Sequence, residues 1–475
     1  MSKKRIFFKK YEENLETIKE ELKNSYDVNY RKINTEKGPI TIIYISNICD
    51  KNFISNFIIN PLITYEDIPE DVERIRNDFI VADDTGLVCN INEAIQLILS
   101  GNAVVLFSFI DEIIYCTVEE YSSRSIEEPP TETVIKGPRE GFNENLSDNI
   151  SLIRRRVCNP KLKFEKLILG EQSNTSVVLA YIEDQAPAQV VDFVRKRLKK
   201  ISIKFLLESK ALDESLQEKR TVFDTLGYTE KPDIVASKLA EGRVAIFQNN
   251  TPFVVTAPHF FVEYFDVGDD YYLNKYTQNF FKVVRWVAFF VALLLPGLYI
   301  SLITYHFKLI PYIFAFRMAI TRSGVPFPVI VEIIVMMFFF QILREAGIRL
   351  PQPIGSALSI VGALILGDAA IGAGLASEIT VLIIALSSIS LFLVPKMYGS
   401  VVLWSNFILL MAAFLGLPGF YTGFILFWSH VSDLTTCGYP YLYPMGTFKN
   451  FNFQDFILRD DLKDISKNIF YRDEK

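Results

Sequence analysis

Apolar residues are spread unevenly along the chain. They crowd into one block, Val284 to His430, where runs of membrane length follow one another in series. The charges inside that block are Arg285, Lys308, Arg317, Arg322, Glu332, Arg344, Glu345, Arg349, Asp368, Glu378 and Lys396. A run of about 20 apolar residues matches the hydrocarbon thickness of a bilayer. The block is therefore read as an all-α, multi-span membrane domain over 282–430. A long polar region precedes it, and a tail, 431–475, follows with an aromatic-proline segment at Tyr439–Pro444 and a charged end.

Within the block, Val284–Tyr305 is the first expected span, broken by Pro296-Gly297, residues common in membrane helices. Leu309–Ile320 is short and contains Arg317, which suits an interfacial or re-entrant piece. Pro326–Ile342 is the second span and carries Glu332 one to two turns in. A carboxylate at that depth is costly. It serves either an ion pathway or gate, or a structural pair with Arg317 or Arg322. Ile354–Ala376 is a helix with Gly355, Ser359, Gly362, Gly367, Ala370 and Gly374 three to five residues apart, a stripe that lets another helix approach closely. Packing does not account for Asp368, which sits inside its apolar run. Glu378 opens the next span, where an acid suits the positive end of a helix. Gly399–Leu415 and Gly419–Ser429 form either a tight hairpin or one broken helix, so five to six spans are expected. With six, Lys282, Arg285, Arg344, Arg349 and Lys396 share the side of the polar region, which assigns that side to the cytoplasm. Lys308 conflicts with this assignment.

In the polar part the period changes. Tyr11, Leu15, Ile18 and Leu22 recur at helical spacing, an amphipathic helix over Lys9–Leu22 within an N-terminal segment 1–34. Thr41–Ser46 is a strand, followed by helices over Asp50–Ile58 and Asn92–Leu99, a stop near Gly101, and strands Ala103–Phe109 and Ile113–Thr117. The order returns in strand Ser176–Tyr181, helices Pro187–Lys200 and Ile234–Ala240, Gly242, and strands Arg243–Gln248 and Phe253–Thr256. The offsets agree, 135 residues from Thr41 to Ser176 and 141 from Gly101 to Gly242. The polar part is read as an α+β cytoplasmic region of two repeated α/β subdomains, 35–120 and 165–270.

The linker between them, 121–164, holds Ser123–Pro129 (SRSIEEP), Gly137–Phe142 (GPREGF) and Ile153–Arg156 (IRRR). Pro and Gly favour extended and turn conformations there. Arg124, Arg139, Arg154, Arg155 and Arg156 stand among Glu127, Glu128 and Glu140. Clustered arginine suits bidentate recognition of an anion. The near balance of charge suits a salt-bridged linker that fixes the repeats, or neighbouring subunits, against one another.

Composition narrows the chemistry. A net charge of -6 supplies no basic field for nucleic acid. The five cysteines are unpatterned and the three histidines far apart, which suits reduced thiols and argues against a metal cluster. The chain lacks GxGxxG, GxxxxGK[ST], HExxH and GxSxG, so neither a catalytic site nor a cofactor is expected. The N-terminus has no apolar h-region of a cleavable signal.

Four stretches together carry a resemblance: Ser123–Pro129, Gly137–Phe142 with Ile153–Arg156, Pro326–Pro351 (PFPVIVE…LREAGIRLP) and Ile354–Gly374 (IGSALSIVGALILGDAAIGAG). In this order they resemble the A subunits of the GerA-type spore germinant receptors, over almost the whole chain. The resemblance implies a homo-oligomeric channel component in the inner membrane of the dormant endospore, surrounded by membrane lipid, its N-terminal region facing the cytoplasm. It also implies a permease-like B subunit that takes the nutrient, a lipoprotein C subunit, and release of monovalent cations. Within the same family, a stage V sporulation AF-type channel partner is the alternative. A secondary transporter would show two similar membrane halves, a pattern not seen in 284–430. A cation pathway wants carboxylates at constrictions, which singles out Glu332 and Asp368, with Glu378 behind them.

Overall fold

The computed structural model describes residues 10–65, 68–82, 84–120, 132, 136–350 and 352–445. The Ser123–Pro129 motif, with Arg124, Glu127 and Glu128, and the tail beyond 445 lie outside the described residues.

The chain begins with helix α1 (Tyr11–Glu21) and then folds into two five-stranded sheets. The first contains β1 (Val28–Thr35), β2 (Gly38–Ile45), β3 (Thr85–Val88), β4 (Asn102–Phe107) and β5 (Ile113–Thr117) in the order β1-β2-β4-β5-β3. The second contains β6 (Leu162–Leu169), β7 (Thr175–Ile182), β8 (Gly227–Thr229), β9 (Val244–Gln248) and β10 (Val254–Ala257) in the equivalent order β6-β7-β9-β10-β8. All neighbouring strands are antiparallel. The matched Gly101 and Gly242 both sit at positive φ, +91° and +93°, where each chain turns out of a helix into a strand. Those helices are α2 (Ile91–Leu99), capped by the Asn90 side chain, and α5 (Pro232–Ala240). Between them in sequence lie α3 (Leu146–Arg156) and α4 (Ala188–Lys200).

Each sheet starts one strand earlier than the sequence pattern suggested, at Val28 rather than 35 and at Leu162 rather than 165. The segment leading into β1 meets the start of β6. The Tyr26 N–H donates to the Phe164 carbonyl at 3.1 Å, and Lys163, 1% exposed, donates to the carbonyls of Glu21 (2.7 Å) and Pro160 (2.9 Å). With Lys163 buried between Leu162 and Phe164, β6 does not show clean alternation, and β1 offers only Val28 and Ile33 as buried positions among exposed Arg31, Lys32 and Asn34. The IRRR stretch is also not an extended linker. It is the last turn of α3, where three arginines complement the negative end of a helix capped at Asn145.

In the second sheet, Val177, Leu179 and Tyr181 face α4, while Val178, Ala180 and Ile182 face α3 and α5. Helices cover both faces, which is why β7 reads as an unbroken apolar run. A third core joins this region to the helices that follow. Phe223, Phe261, Phe265 and Tyr441 pack with Phe289, Leu293 and Phe427.

The helical region comprises α6 (Lys275–Thr304), α7 (Tyr312–Arg322), α8 (Val329–Arg349), α9 (Gln352–Gly372), α10 (Glu378–Leu391), α11 (Tyr398–Leu415) and α12 (Leu417–Asp433). Among the described residues, two helices are long and apolar enough to cross a bilayer, Lys275–Thr304 and Pro395–Leu415. At 416 the chain turns sharply, Gly416 adopting φ +66°, so α11 and α12 form a hairpin rather than one broken helix.

Pro296 does not break α6. Proline removes the N–H that would reach the Ala292 carbonyl. Two neighbouring helices supply the missing donors: Ser387 Oγ of α10 and Ser405 Oγ of α11 each donate to that carbonyl at 3.1 Å. Side-chain hydroxyls from adjacent helices restore the freed backbone group, so the helix continues. Replacing both Ser387 and Ser405 by Ala strands a buried acceptor and is expected to lower stability by about 1–3 kcal/mol. A fall in the melting temperature of the detergent-solubilised protein would report it, with either single change costing less.

Candidate functional site

The buried acid of the helical region is Glu332. It lies in the first turn of α8, is fully buried, and faces the N-terminus of α10. There Ser377 caps the helix, its hydroxyl accepting the Thr380 N–H at 3.3 Å. Glu332 Oε2 accepts the Ser377 N–H (3.1 Å) and the Thr380 hydroxyl (3.0 Å). Its Oε1 accepts from Arg322 Nη2 of α7 at 3.3 Å. The Thr380 Oγ1 is also 3.0 Å from the Tyr299 hydroxyl of α6. One carboxylate thus ties α6, α7, α8 and α10 together. Its charge is balanced by a guanidinium and by the positive end of a helix.

The other two acids are not in this network. Glu378 opens α10 but is exposed. Asp368 is exposed on α9, on the same face as Val361, Leu364 and Ile365, and among the described residues it makes no hydrogen bond or ion pair. Gly362 faces Leu343 of α8, where a Cβ would come within 2.6 Å of the leucine Cδ2, and Gly367 faces Val381 of α10. Gly374 adopts φ +66° at the turn between α9 and α10. Gly355 and Ser359 lie on α9, in a stretch whose side-chain surroundings fall outside the described residues.

The linker arginines separate into two groups. Arg154 does not pair with Glu140, the one described glutamate of the linker motifs. It forms a two-pronged ion pair with Asp27, Nε to Oδ2 at 2.9 Å and Nη2 to Oδ1 at 3.1 Å, with both side chains buried. Arg155 and Arg156 pair with Glu140, the former at 3.6 Å. Arg139 is exposed. Asp27 carries no sequence signal for this role, because it stands 127 residues from its partner.

Where the sheets meet the helices, cations and carboxylates alternate. Lys282, 1% exposed, pairs with Asp266 at 2.6 Å, and Arg285 with Asp270 at 2.5 and 2.8 Å. Two of the five basic residues that pointed to a cytoplasmic flank, Lys282 and Arg285, are therefore neutralised within the fold. Glu132 accepts from Lys396 Nζ (2.7 Å), the Thr229 hydroxyl (2.6 Å) and the Glu230 N–H (3.1 Å). Burial alone would raise its carboxyl, but Lys396 and these hydrogen bonds prevail and hold it below the ordinary range. Glu263 is likewise buried, yet Arg243, Lys238 and His259 hold it well below the usual value. In Asp266, by contrast, burial outweighs Lys282 and raises the carboxyl. A cavity of about 360 Å3 lies among these groups, bounded by β8, α5, the 263–272 segment and Lys396. Its lysines are committed, Lys238 to Glu263 (2.8 Å) and Lys396 to Glu132.

Comparison with known proteins identifies the chain. A family model described as Bacillus/Clostridium GerA spore germination protein matches residues 16–469. The chain belongs to the GerA family. This GerA chain is 36% identical over 454 residues to spore germination protein KA of Bacillus subtilis, covering 94% of this chain and 84% of that one. It is 33% identical over 468 residues to spore germination protein A1 of the same organism, covering 97% and 96%. Over 459 residues it is 36% identical to a B. subtilis protein named as the membrane protein YfkQ, covering 95% and 88%. The solved N-terminal domain of the A subunit of the Bacillus megaterium spore germinant receptor GerK3 aligns with 55% of this chain and 99% of its own length. It does so at 28% identity and a TM-score of 0.44.

Proposed function

We propose that this GerA chain is the A subunit of a spore germinant receptor, an oligomeric, nutrient-gated cation channel component of the endospore inner membrane. Its sheets face the spore core, a permease-like B subunit takes the nutrient, and a lipoprotein C subunit completes the complex. The helical region crosses the membrane more than the two times that length and composition alone give. Family membership supports the role in germination. The observation that carries the channel reading is Asp368. A carboxylate in an apolar stretch is not stable against hydrocarbon, yet it is exposed on a face otherwise made of Val361, Leu364 and Ile365. In an assembly that face turns to a water-filled path, and the acid concentrates cations there. Glu332 acts differently: it latches the helices around that path.

Spores carrying Asp368→Asn are expected to release cations several-fold more slowly on nutrient addition, with the protein present at its normal level. Potassium-electrode traces alongside immunoblots test this. Unchanged kinetics at normal protein level would remove Asp368 from the pathway.

A further inference from the structure

The helical segments between the second and third strands of the two sheets occupy equivalent places, since the sheets share a strand order. Part of each surface has opposite character. The described residues of 50–84 hold six Asp/Glu and three Lys/Arg, whereas the helix and turn 188–204 hold six Lys/Arg and one Asp, the rest of that segment, 205–226, being mixed. Both surfaces also expose large apolar side chains. In the first repeat Phe57 is 42% exposed, Tyr65 55% and Val81 60%. They form one patch: the Val81 N–H donates to the Phe57 carbonyl at 3.3 Å, and the Tyr65 ring stands edge-on to Phe79 at 5.0 Å. The patch is carried on two segments wound with π turns, Ile54–Ile59 and Ile75–Phe79, a geometry frequent at functional sites. In the second repeat Phe205 is 55% and Leu207 71% exposed, flanking the buried Leu206 just after α4. Lys199, Lys200 and Lys204 beside them are exposed.

Within one chain the repeats meet elsewhere, through Tyr26 and Phe164 and through Asp27 and Arg154. Neither patch is covered by that contact. Exposed apolar surface with a charged rim marks an interaction site, and opposite rims select the partner. We propose that the acidic surface around Phe57, Tyr65 and Val81 docks on the basic surface around Lys199, Phe205 and Leu207 of a second copy of this chain. The contact joins unlike surfaces, so each copy keeps one of each free, and repeated rotation closes a ring of cytoplasmic domains. This inference rests on the oligomeric reading above and adds the surface through which the copies assemble. An anionic membrane would repel the acidic surface, so lipid does not serve both.

The test uses the full chain in phosphatidylcholine nanodiscs. In a chain with the exposed Cys89 and Cys158 changed to Ser, the variant carrying Phe57→Cys and Leu207→Cys is expected to give, on mild oxidation, a disulfide ladder extending beyond the dimer, which neither single variant gives. Lys199→Glu with Lys200→Glu is expected to weaken the crosslink about tenfold, and adding Glu70→Lys with Asp78→Lys to restore it. No ladder from a chain that mass photometry still finds oligomeric would overturn the docking while leaving the channel reading standing. Self-crosslinking of a single variant would overturn it in favour of a symmetric contact. A charge effect confined to phosphatidylglycerol-containing discs would assign the basic surface to lipid and overturn it likewise. A monomeric chain would overturn the oligomeric reading together with it, which separates the two failures.

Discussion

Replacing Arg154 by Ala, with Asp27 left in place, is expected to destabilise the two-sheet region by about 3–5 kcal/mol, the usual effect of stranding one charge of a buried pair. Arg154 is 1% exposed and Asp27 0%. The guanidinium also donates to the Leu162 carbonyl (3.2 Å) and the Ser25 hydroxyl (3.3 Å), and it lies 4.7 Å over the Phe164 ring. These partners come from both sheets, so the loss falls on the seam between them. Urea denaturation of the purified protein, followed by tryptophan-independent circular dichroism, would register it. The double replacement Asp27→Leu with Arg154→Met removes both charges and is expected to recover much of the stability, because a packed apolar pair avoids the desolvation that the ions suffer. A single-variant loss below about 1 kcal/mol, the level of a solvated pair, would show that the seam does not depend on this contact.

Glu332→Gln is expected to raise cation leak in the absence of nutrient. Gln keeps the shape and can still accept from the Ser377 N–H and the Thr380 hydroxyl. It loses the charge that holds Arg322 and that the α10 N-terminus favours. A hydrogen bond to a charged group contributes about 1.5–3 kcal/mol, which shifts a closed-to-open equilibrium roughly ten- to a hundredfold. Basal potassium loss from dormant spores is the readout. Arg322→Gln, which removes the same pair from the other side, is expected to raise the leak similarly, and the double variant no further than either alone. A normal basal leak with a slowed nutrient response would instead place Glu332 in the conduction path. Normal values of both would exclude it from either role.

Local elements of the sheets were legible because their signals are local: β-branched runs for β2 and β7, a 3.6-residue period for α1 and α4, and a glycine where each repeat turns from helix to strand. The edges were not. β1 buries only Val28 and Ile33 and exposes Arg31, Lys32 and Asn34, and β6 buries Lys163 between Leu162 and Phe164, so neither carries a clean apolar alternation. The apolar block was equally plain, and its scarcity of charge pointed to Glu332 and Asp368. Sequence left Glu332 with two candidate arginines and could not rank them. Only the turn that brings α7 back onto α8 selects Arg322.

Sequence by itself determined which segments must leave water and where a charge would be out of place, because burial and helical period are read over a few neighbouring residues. Tertiary structure alone decided who answers each charge. Arg154 takes Asp27 rather than Glu140, Lys396 takes Glu132, and the carbonyl freed by Pro296 takes two serines from other helices. Those partners lie from about ninety to more than two hundred and sixty residues away. A contact of a few ångströms between such positions depends on the whole fold closing, and no spacing along the chain records it.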